Sequence, residues 1–222
     1  EMRTDLGNLH QTVYKFLRDN TRLNRAKTDS LHSLNAGYFL NEIDQTITVQ
    51  AGMSGPDLEK TLQNAPGLFG AKRQYTCGHF PQSFEYSSVG GWAVTRGAGQ
   101  NSSYYGKIED IVISQEYVTP IGIIKSDEFP RNATGPSIDQ TMMGSEGTFG
   151  ILTHVTLRVF KYMPENRKKF SYVFKDWENG LNAAREIMQG EFGFPSVFRL
   201  SDPEETSIAF RLYGVADTVI DK

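Results

Sequence analysis

Hydrophobic and polar positions along the chain predict a fold that mixes helices and strands. Apolar residues recur at helical spacing between polar neighbours over residues 5–20, which predicts an amphipathic helix. The β-branched residues 46–49 predict a strand, and Pro56 with two acidic side chains after it predicts the start of a helix. Residues 66–107 are rich in Gly, Ser, Tyr and Pro and show no clear period, which is typical of a long loop system.

The next stretch of the chain predicts β-structure. Apolar, β-branched residues at 111–113 and 121–124 flank Pro120, so a β-hairpin is expected there. Alternating side chains over residues 151–160 predict one long strand.

A charged connector at residues 165–169 predicts a domain boundary directly after residue 164. Beyond it, alternating aromatic residues at 170–174 predict a strand, an amphipathic helix begins near Trp177, and residues 197–200 predict a second strand. This β-α-β unit is expected to start a second domain. We therefore expect two domains, residues 1–164 and residues 165–222, with the second incomplete.

The composition narrows the class of protein. With 38% hydrophobic and 22% charged residues the chain is globular, and a net charge of -3 with scattered Lys and Arg predicts no nucleic-acid partner. The single cysteine, Cys77, excludes an internal disulfide and is expected to be a small buried thiol rather than a nucleophile paired with His79. The four histidines lack metal-ligand spacing, and no apolar run approaches the roughly 18 residues of a membrane span.

Candidate chemistry concentrates in loops rich in glycine, serine and aromatic residues. One runs PQSFEYSSVGGW at 81–92 and continues as TRGAGQN at 95–101, and another is GSEGTFG at 144–150. Glycine permits positive φ and close approach of the backbone, a pyrophosphate needs backbone donors, and a flat ring needs apolar walls. Two such loops together suggest a dinucleotide cofactor, although a tight turn before a strand explains GSEGTFG alone equally well.

The type of cofactor fold can be narrowed by elimination. Gly97-Ala98-Gly99 lacks the third glycine and the strand-turn-helix context of a Rossmann fingerprint, and the chain contains no GxxxxGK[ST] phosphate loop. No GxSxG elbow is present either. The usual NAD and ATP folds are therefore disfavoured.

Six stretches, in order, resemble one known family. They are PQSFEYSSVGGWAVTRGAG, YGKIEDIV, VTPIGII, ATGPSID, GSEGTFGILT and RLSDPEET, between about Thr28 and Asp217. They are similar to the alkyldihydroxyacetonephosphate synthases and their bacterial homologues, which belong to the vanillyl-alcohol-oxidase flavoprotein superfamily. The resemblance implies an α+β fold in which a PCMH-type FAD-binding domain, truncated at its N-terminal part, precedes the start of an α+β cap domain.

The resemblance also implies which residues contact FAD. Three segments match the family's cofactor contacts: Gln82, Ser83, Phe84, Glu85, Tyr86, Ser87 and Ser88; Thr95, Arg96, Gly97 and Ala98; and Glu146, Gly147, Thr148, Phe149, Gly150, Ile151 and Leu152. No metal is implied.

Arg199, in RLSD, matches an arginine on the substrate side that is important for activity in that family. A fixed cation there could pair with a substrate phosphate or carboxylate. The alternative is a salt bridge, with Asp202 as the partner, that holds the cap to the FAD-binding domain.

Two features of the family are missing from the sequence. Its glycine-rich pyrophosphate loop would lie near the start, where residues 1–30 contain only Gly7, and its catalytic tyrosine and His-rich segment would lie beyond Lys222. We therefore expect a partial chain that lacks the catalytic C-terminal part, with a natural form that has lost the activity as the alternative.

Three functions remain open at this point. The first is exchange of the acyl group of acyl-dihydroxyacetone phosphate for a fatty alcohol in ether-lipid synthesis, without net redox change. The second is an FAD-linked dehydrogenase or oxidase of a 2-hydroxy acid of the D-lactate or glycolate type, and the third is a non-catalytic remnant of the FAD fold.

Expected partners are FAD and a small-molecule or lipid-like substrate, with peripheral membrane contact and a homodimer as further expectations. The expected location is cytoplasmic or membrane-associated in a bacterium and peroxisomal in a eukaryote.

Overall fold

The computed structural model describes residues 39–131 and 133–213. The helix predicted over residues 5–20 lies outside the described residues, and so does Gly7. The described part contains both helices and strands, with the strands confined to residues 39–161, and this mixture confirms the α+β class. None of the helices in these two ranges is long and apolar enough to cross a membrane.

The described strands form two antiparallel sheets. They are β1 (Phe39–Asn41), β2 (Thr46–Gln50), β3 (Tyr75–Thr76), β4 (Val112–Thr119), β5 (Gly122–Lys125), β6 (Ile151–Arg158) and β7 (Phe160–Lys161). The larger sheet has the order β1-β2-β6-β4-β5, and the smaller sheet pairs β3 with β7. Since β6 lies between β2 and β4, the strand that follows the GSEGTFG loop occupies the centre of the larger sheet.

The described helices are mostly short. They are α1 (Gly55–Gln63), α2 (Ala65–Phe69), α3 (Val89–Val94), α4 (Ser102–Tyr105), α5 (Ile108–Ile111), α6 (Ile138–Met142), α7 (Trp177–Gln189) and α8 (Pro203–Leu212). The loop system predicted over 66–107 is present, but it contains α3, α4 and most of α2, which its mixed composition did not predict.

The helix predicted from Pro56 is confirmed as α1. Ser54 is its N-cap and accepts a hydrogen bond from Asp57 N at 3.2 Å, as expected for a serine at this position. Leu58 and Leu62 lie one turn apart and are fully buried, so α1 is fastened to the core by one face.

The predicted hairpin is confirmed, whereas the prediction of one unbroken strand over 151–160 is wrong at its end. Residues 112–119 and 122–125 pair antiparallel as β4 and β5. The strand β6 ends at Arg158: Val159 N still donates to Gln45 O at 2.8 Å, but Gln45 has a left-handed φ of 54° and lies outside β2, and the next residues pair with β3 instead. Alternation of side chains specifies the two faces of a strand but not its pairing partner.

A hydrophobic core joins the central strands to α1 and α3. Its members that are at most 1% exposed include these side chains of β2, α1, α3 and β6: Ile47, Val49, Leu58, Leu62, Val89, Val155 and Leu157. At about 1.5–3 kcal/mol for each large side chain, burial of this set is the main force that holds the sheet and the two helices together. The loops before and after α3 therefore extend from a packed base.

Beyond residue 164 the structure agrees with the helix prediction and contradicts the strand predictions. The helix expected near Trp177 is α7, but residues 170–174 and 197–200 form no strand. Strand formation needs a hydrogen-bonded partner, and neither segment has one in the described part of the chain. Both segments do meet α7, since the side chains of Phe174 and Leu200 lie against Gly180. The division at residue 164 stays a prediction.

Candidate functional site

The three predicted cofactor segments meet around the short helix α3. Residues 82–88 lead into its N-terminus and residues 95–98 leave its C-terminus. The loop 144–150 lies beside this C-terminus, because Gly144 N and Glu146 N donate to the carbonyl oxygens of Ala93 and Val94, each at 3.1 Å. Segments that are about 50 residues apart in the sequence thus form one surface.

Hydrogen bonds within segment 82–88 fix it to α3. The Ser88 hydroxyl caps the helix by accepting from Gly91 N at 3.2 Å, and Trp92 Nε1 donates to Ser87 Oγ at 2.7 Å. Ser87 O in turn accepts from Gly55 N, at the start of α1, at 3.2 Å. The segment is therefore tied to two helices at once.

Gly90 allows α3 to lie directly on the chain that follows β2. Its N–H donates to Ala51 O at 2.8 Å. A Cβ atom at position 90 would lie 2.5 Å from Ala51 Cβ and 2.8 Å from Ala51 O. No side chain other than hydrogen fits there without moving the helix.

Two non-glycine residues with left-handed backbone conformation lie in the predicted site. Arg96 has φ of 51° and Glu146 has φ of 48°. Such conformations cost about 1–2 kcal/mol for an L-residue and persist only where the surroundings fix them, often at binding sites. Both residues flank the contact between loop 95–98 and loop 144–150.

Most of the predicted cofactor residues are accessible to a ligand. The exposed ones are Gln82, Ser83, Glu85, Tyr86, Thr95, Arg96, Ala98, Glu146, Gly147, Thr148 and Phe149. Phe84, Ser87, Ser88, Gly97 and Ile151 are half-buried, whereas Gly150 and Leu152 are buried. The Leu152 side chain belongs to the core, so only its backbone could face a ligand.

Arg199 is not brought into contact with these loops by any described interaction. Its guanidinium donates to the Glu205 carboxylate, and this bond lowers the pKa of Glu205. The expected alternative partner, Asp202, instead caps α8 by accepting from Glu205 N at 2.7 Å. The predicted salt bridge to Asp202 is therefore wrong. Arg199 pairs instead with Glu205, in the first turn of α8, so the ion pair stays within residues 199–205.

The prediction that Cys77 is a small buried thiol is confirmed. The side chain is fully buried, and its thiol donates to His79 O at 3.4 Å. Burial, the largest effect, raises the pKa of this thiol well above its usual value, and the nearby Glu59 carboxylate raises it further. Since only the thiolate is a nucleophile, Cys77 is a packing residue.

His79 is a site residue that the sequence analysis missed. Its ring is 1% exposed and lies edge-on to Trp92, with 5.0 Å between the ring centroids. Neither ring nitrogen has a hydrogen-bond partner within the described ranges, and Nε2 lies 3.3 Å from where a Cβ of Gly97 would be. Burial lowers the pKa of His79 to about 4, so the ring is neutral near pH 7. Its position two residues before PQSFEYSS was the available signal, but the sequence pointed to His79 only as a possible partner for Cys77 and as one of four histidines without metal-ligand spacing.

The residues present fit FAD, the cofactor that the resemblance implies. Two accessible loops rich in glycine and small polar side chains lie side by side, as a pyrophosphate-containing ligand requires. Buried polar groups beside them still lack partners among the described residues, namely both ring nitrogens of His79. Because such groups are normally satisfied, orphaned ones next to exposed loops suggest that a ligand or water completes them. Within the described ranges no cluster of side chains suits a metal ion.

Comparison with known proteins supports this assignment. The FAD binding domain family matches residues 29–127. The alkyldihydroxyacetonephosphate synthase of Caenorhabditis elegans is 42% identical over 181 residues, which cover 81% of this chain and 29% of that protein. The mitochondrial D-lactate dehydrogenase (cytochrome) of Arabidopsis thaliana is 39% identical over 121 residues, 53% of this chain and 19% of that protein.

A solved structure of an alkyldihydroxyacetonephosphate synthase agrees in fold. It superposes with a TM-score of 0.67 at 31% sequence identity, over 81% of this chain and 31% of that one. The chain thus spans 29% of the curated synthase and 31% of the solved one. The expected cofactor, fold and resemblance are confirmed, while the individual cofactor contacts stay predictions. Residues 29–127 therefore match the FAD binding domain family, which supports FAD as the cofactor, and 81% of the chain is similar to an alkyldihydroxyacetonephosphate synthase.

Proposed function

We propose that the protein acts in an FAD-dependent exchange of the acyl group of acyl-dihydroxyacetone phosphate for a fatty alcohol. One observation carries this proposal. Similarity to the Caenorhabditis elegans synthase covers 81% of the chain at 42% identity, whereas similarity to D-lactate dehydrogenases covers 53% at 39% identity in Arabidopsis thaliana and 72% at 27% identity in Danio rerio. High identity over most of the chain is therefore found with the synthase and not with these dehydrogenases.

In this proposal the three loops around α3 hold FAD. The exposed backbone of residues 95–98 and 146–149 would face the cofactor, and the aromatic side chains of Phe84 and Phe149 would supply apolar walls. FAD, when bound, supplies a ring system that can act as a nucleophile or accept electrons. The protein would hold FAD in position through the backbone and side chains of these loops.

Arg199 would bind the negatively charged group of the substrate. Its side chain is 65% exposed even while it is paired with Glu205, so the guanidinium has donors available for a second anion. The pairing also holds the planar guanidinium in one orientation, which suits two parallel bonds to a phosphate. Loss of this cation should weaken phosphate binding more than loss of an arginine within the helix α8 that follows.

Incorporation of a labelled fatty alcohol by the natural full-length protein tests this function. We expect an alkyl ether product from acyl-dihydroxyacetone phosphate, with release of the fatty acid and no added oxidant. Arg199→Ala should lower the rate about a hundredfold, the loss expected for a charge-assisted pair of bonds. Arg211→Ala removes an exposed arginine that donates to Ser207 Oγ, and it should leave the rate unchanged. A protein that retains FAD but forms no ether product would refute the assignment.

A second candidate is an FAD-linked dehydrogenase of a 2-hydroxy acid. The match to a mitochondrial D-lactate dehydrogenase at 39% identity favours it. A D-2-hydroxy acid added without oxygen should then bleach the flavin absorption at once, because bound FAD would supply the two-electron acceptor for oxidation of the acid to a 2-oxo acid. Bleaching without alkyl transfer would replace the first candidate by the second.

Location and assembly are part of the proposal. A bacterial protein of this type would be cytoplasmic or attached to the membrane surface, and a eukaryotic one would be peroxisomal. We also propose a homodimer and peripheral membrane contact, which a lipid-like substrate favours. Fractionation of cells and sedimentation of the purified protein would test both.

A further inference from the structure

The guanidinium of Arg96 binds two backbone carbonyl groups in the segment directly before the GSEGTFG loop. Its Nε donates to Met143 O at 3.2 Å and its Nη2 donates to Gln140 O at 2.6 Å. These carbonyls belong to α6 and to the residue after it, so the guanidinium binds the chain directly before loop 144–150. A cation at the carbonyl end of a helix is also favoured electrostatically.

Gly144 fits this arrangement. It has φ of 74°, and a Cβ there would lie 2.9 Å from Cγ, Cδ and Nε of Arg96. The arginine side chain therefore passes directly over the backbone of residue 144. Contact of this kind fixes the distance between the loop 95–98 and the loop 144–150.

The Glu109 carboxylate lies beside the guanidinium of Arg96, and Glu109 is itself bound to Lys107 and Gln140. Glu109 Oε1 lies 3.8 Å from Arg96 Nη1 and 2.6 Å from Lys107 Nζ. Gln140 Nε2 donates to Glu109 O at 3.3 Å. The arginine thus connects three parts of the chain: the end of α3, the start of α5 and the end of α6.

We propose that Arg96 is a positioning residue of the cofactor site, and that it sets FAD affinity by fixing loop 144–150 rather than by contact with FAD. This inference rests on the role proposed for the two loops in FAD binding, and it replaces the expectation that the Arg96 side chain is itself an FAD ligand. The left-handed conformations of Arg96 and Glu146 are consistent with it, since both lie at the contact that the guanidinium closes.

Three variants separate the side chain of Arg96 from its backbone. Arg96→Asn keeps a residue that tolerates positive φ but is too short to reach Gln140 O. Arg96→Lys keeps the charge and can donate to only one of the two carbonyls at a time with good geometry. Arg131→Ala is the matched control, because Arg131 is exposed and pairs only loosely with Asp110, at 3.5 Å.

Amide hydrogen exchange in the FAD-free protein is the first measurement. We expect Arg96→Asn to speed exchange across residues 140–150 about tenfold, since two charge-assisted hydrogen bonds are lost. Exchange in strand β6 should not change. FAD affinity, measured by flavin fluorescence, should fall by about the same factor, with Arg96→Lys intermediate and Arg131→Ala unchanged.

Other outcomes would overturn the inference. Weaker FAD binding without faster exchange over residues 140–150 would make Arg96 a direct ligand. Faster exchange through the whole domain would make it a general stabilising residue, and no change in either quantity would leave it without a role. A wild-type protein that binds no FAD would refute the proposed function instead, while the exchange data would still report on the loop.

Discussion

Replacement of Gly90 by alanine should destabilise the FAD-binding domain by about 3 kcal/mol, the upper end of what overpacking costs in a core. The added Cβ would lie 2.5 Å from Ala51 Cβ and 2.8 Å from Ala51 O. Backbone atoms cannot rotate away as a side chain can, so α3 would have to move off the chain that follows β2. The loops 82–88 and 95–98 would move with it, and we expect FAD binding to be lost as well.

Gly91→Ala is the matched control. A Cβ at position 91 would approach only Ser88 Oγ, at 3.2 Å, and alanine is intrinsically better in a helix than glycine by about 1 kcal/mol. The midpoint of urea unfolding should therefore fall strongly for Gly90→Ala and shift little for Gly91→Ala. Equal midpoints for the two variants would contradict the packing of α3 described above.

Acid should destabilise the protein through His79, and replacement of His79 by a residue that does not titrate should make the stability depend less on pH. Burial lowers the pKa of His79 to about 4 in the folded protein, whereas a histidine in the unfolded chain titrates near 6.5. Between these values the unfolded chain binds a proton that the folded protein does not, so stability falls as the pH is lowered. The loss should reach about 3 kcal/mol between pH 6.5 and pH 4.

Two variants test this prediction because they differ in shape but share the loss of a titrating group. His79→Phe keeps an aromatic ring against Trp92, and His79→Leu does not. Relative to its own stability at pH 7.5, each variant should lose less stability than wild type on going to pH 4.5. Unfolding curves in urea at several pH values measure the difference. Wild-type and variant curves that fall in parallel would show that His79 is not buried as a neutral ring.

Local patterns in the sequence predicted those elements whose signals are local. Pro56 and its acidic neighbours marked α1, and apolar stretches on either side of Pro120 marked the β4-β5 hairpin. The loops at 81–92, 95–101 and 144–150 were identified by composition and by resemblance, and the structure places them side by side. Their chemistry was thus predictable before any contact between them was known.

Other features depend on tertiary contacts that the sequence does not display. Helix α3 contains Gly90 and Gly91, which disfavour a helix intrinsically, and it forms because it packs on Ala51 and the core. The predicted strand over 170–174 has no pairing partner in the described residues. Arg96 was expected to contact the cofactor, and only the positions of Gln140 and Met143 show where its guanidinium is directed.

Retention of FAD tests the central claim, that the loops around α3 form the cofactor site. Purified wild-type protein, Gly90→Ala and Gly91→Ala would each be incubated with FAD and passed through a gel-filtration column, and the visible absorption of the protein peak recorded. The account predicts a flavin band that elutes with wild type and with Gly91→Ala but is lost from Gly90→Ala. Wild-type protein that elutes without flavin, or equal flavin in all three proteins, would contradict it.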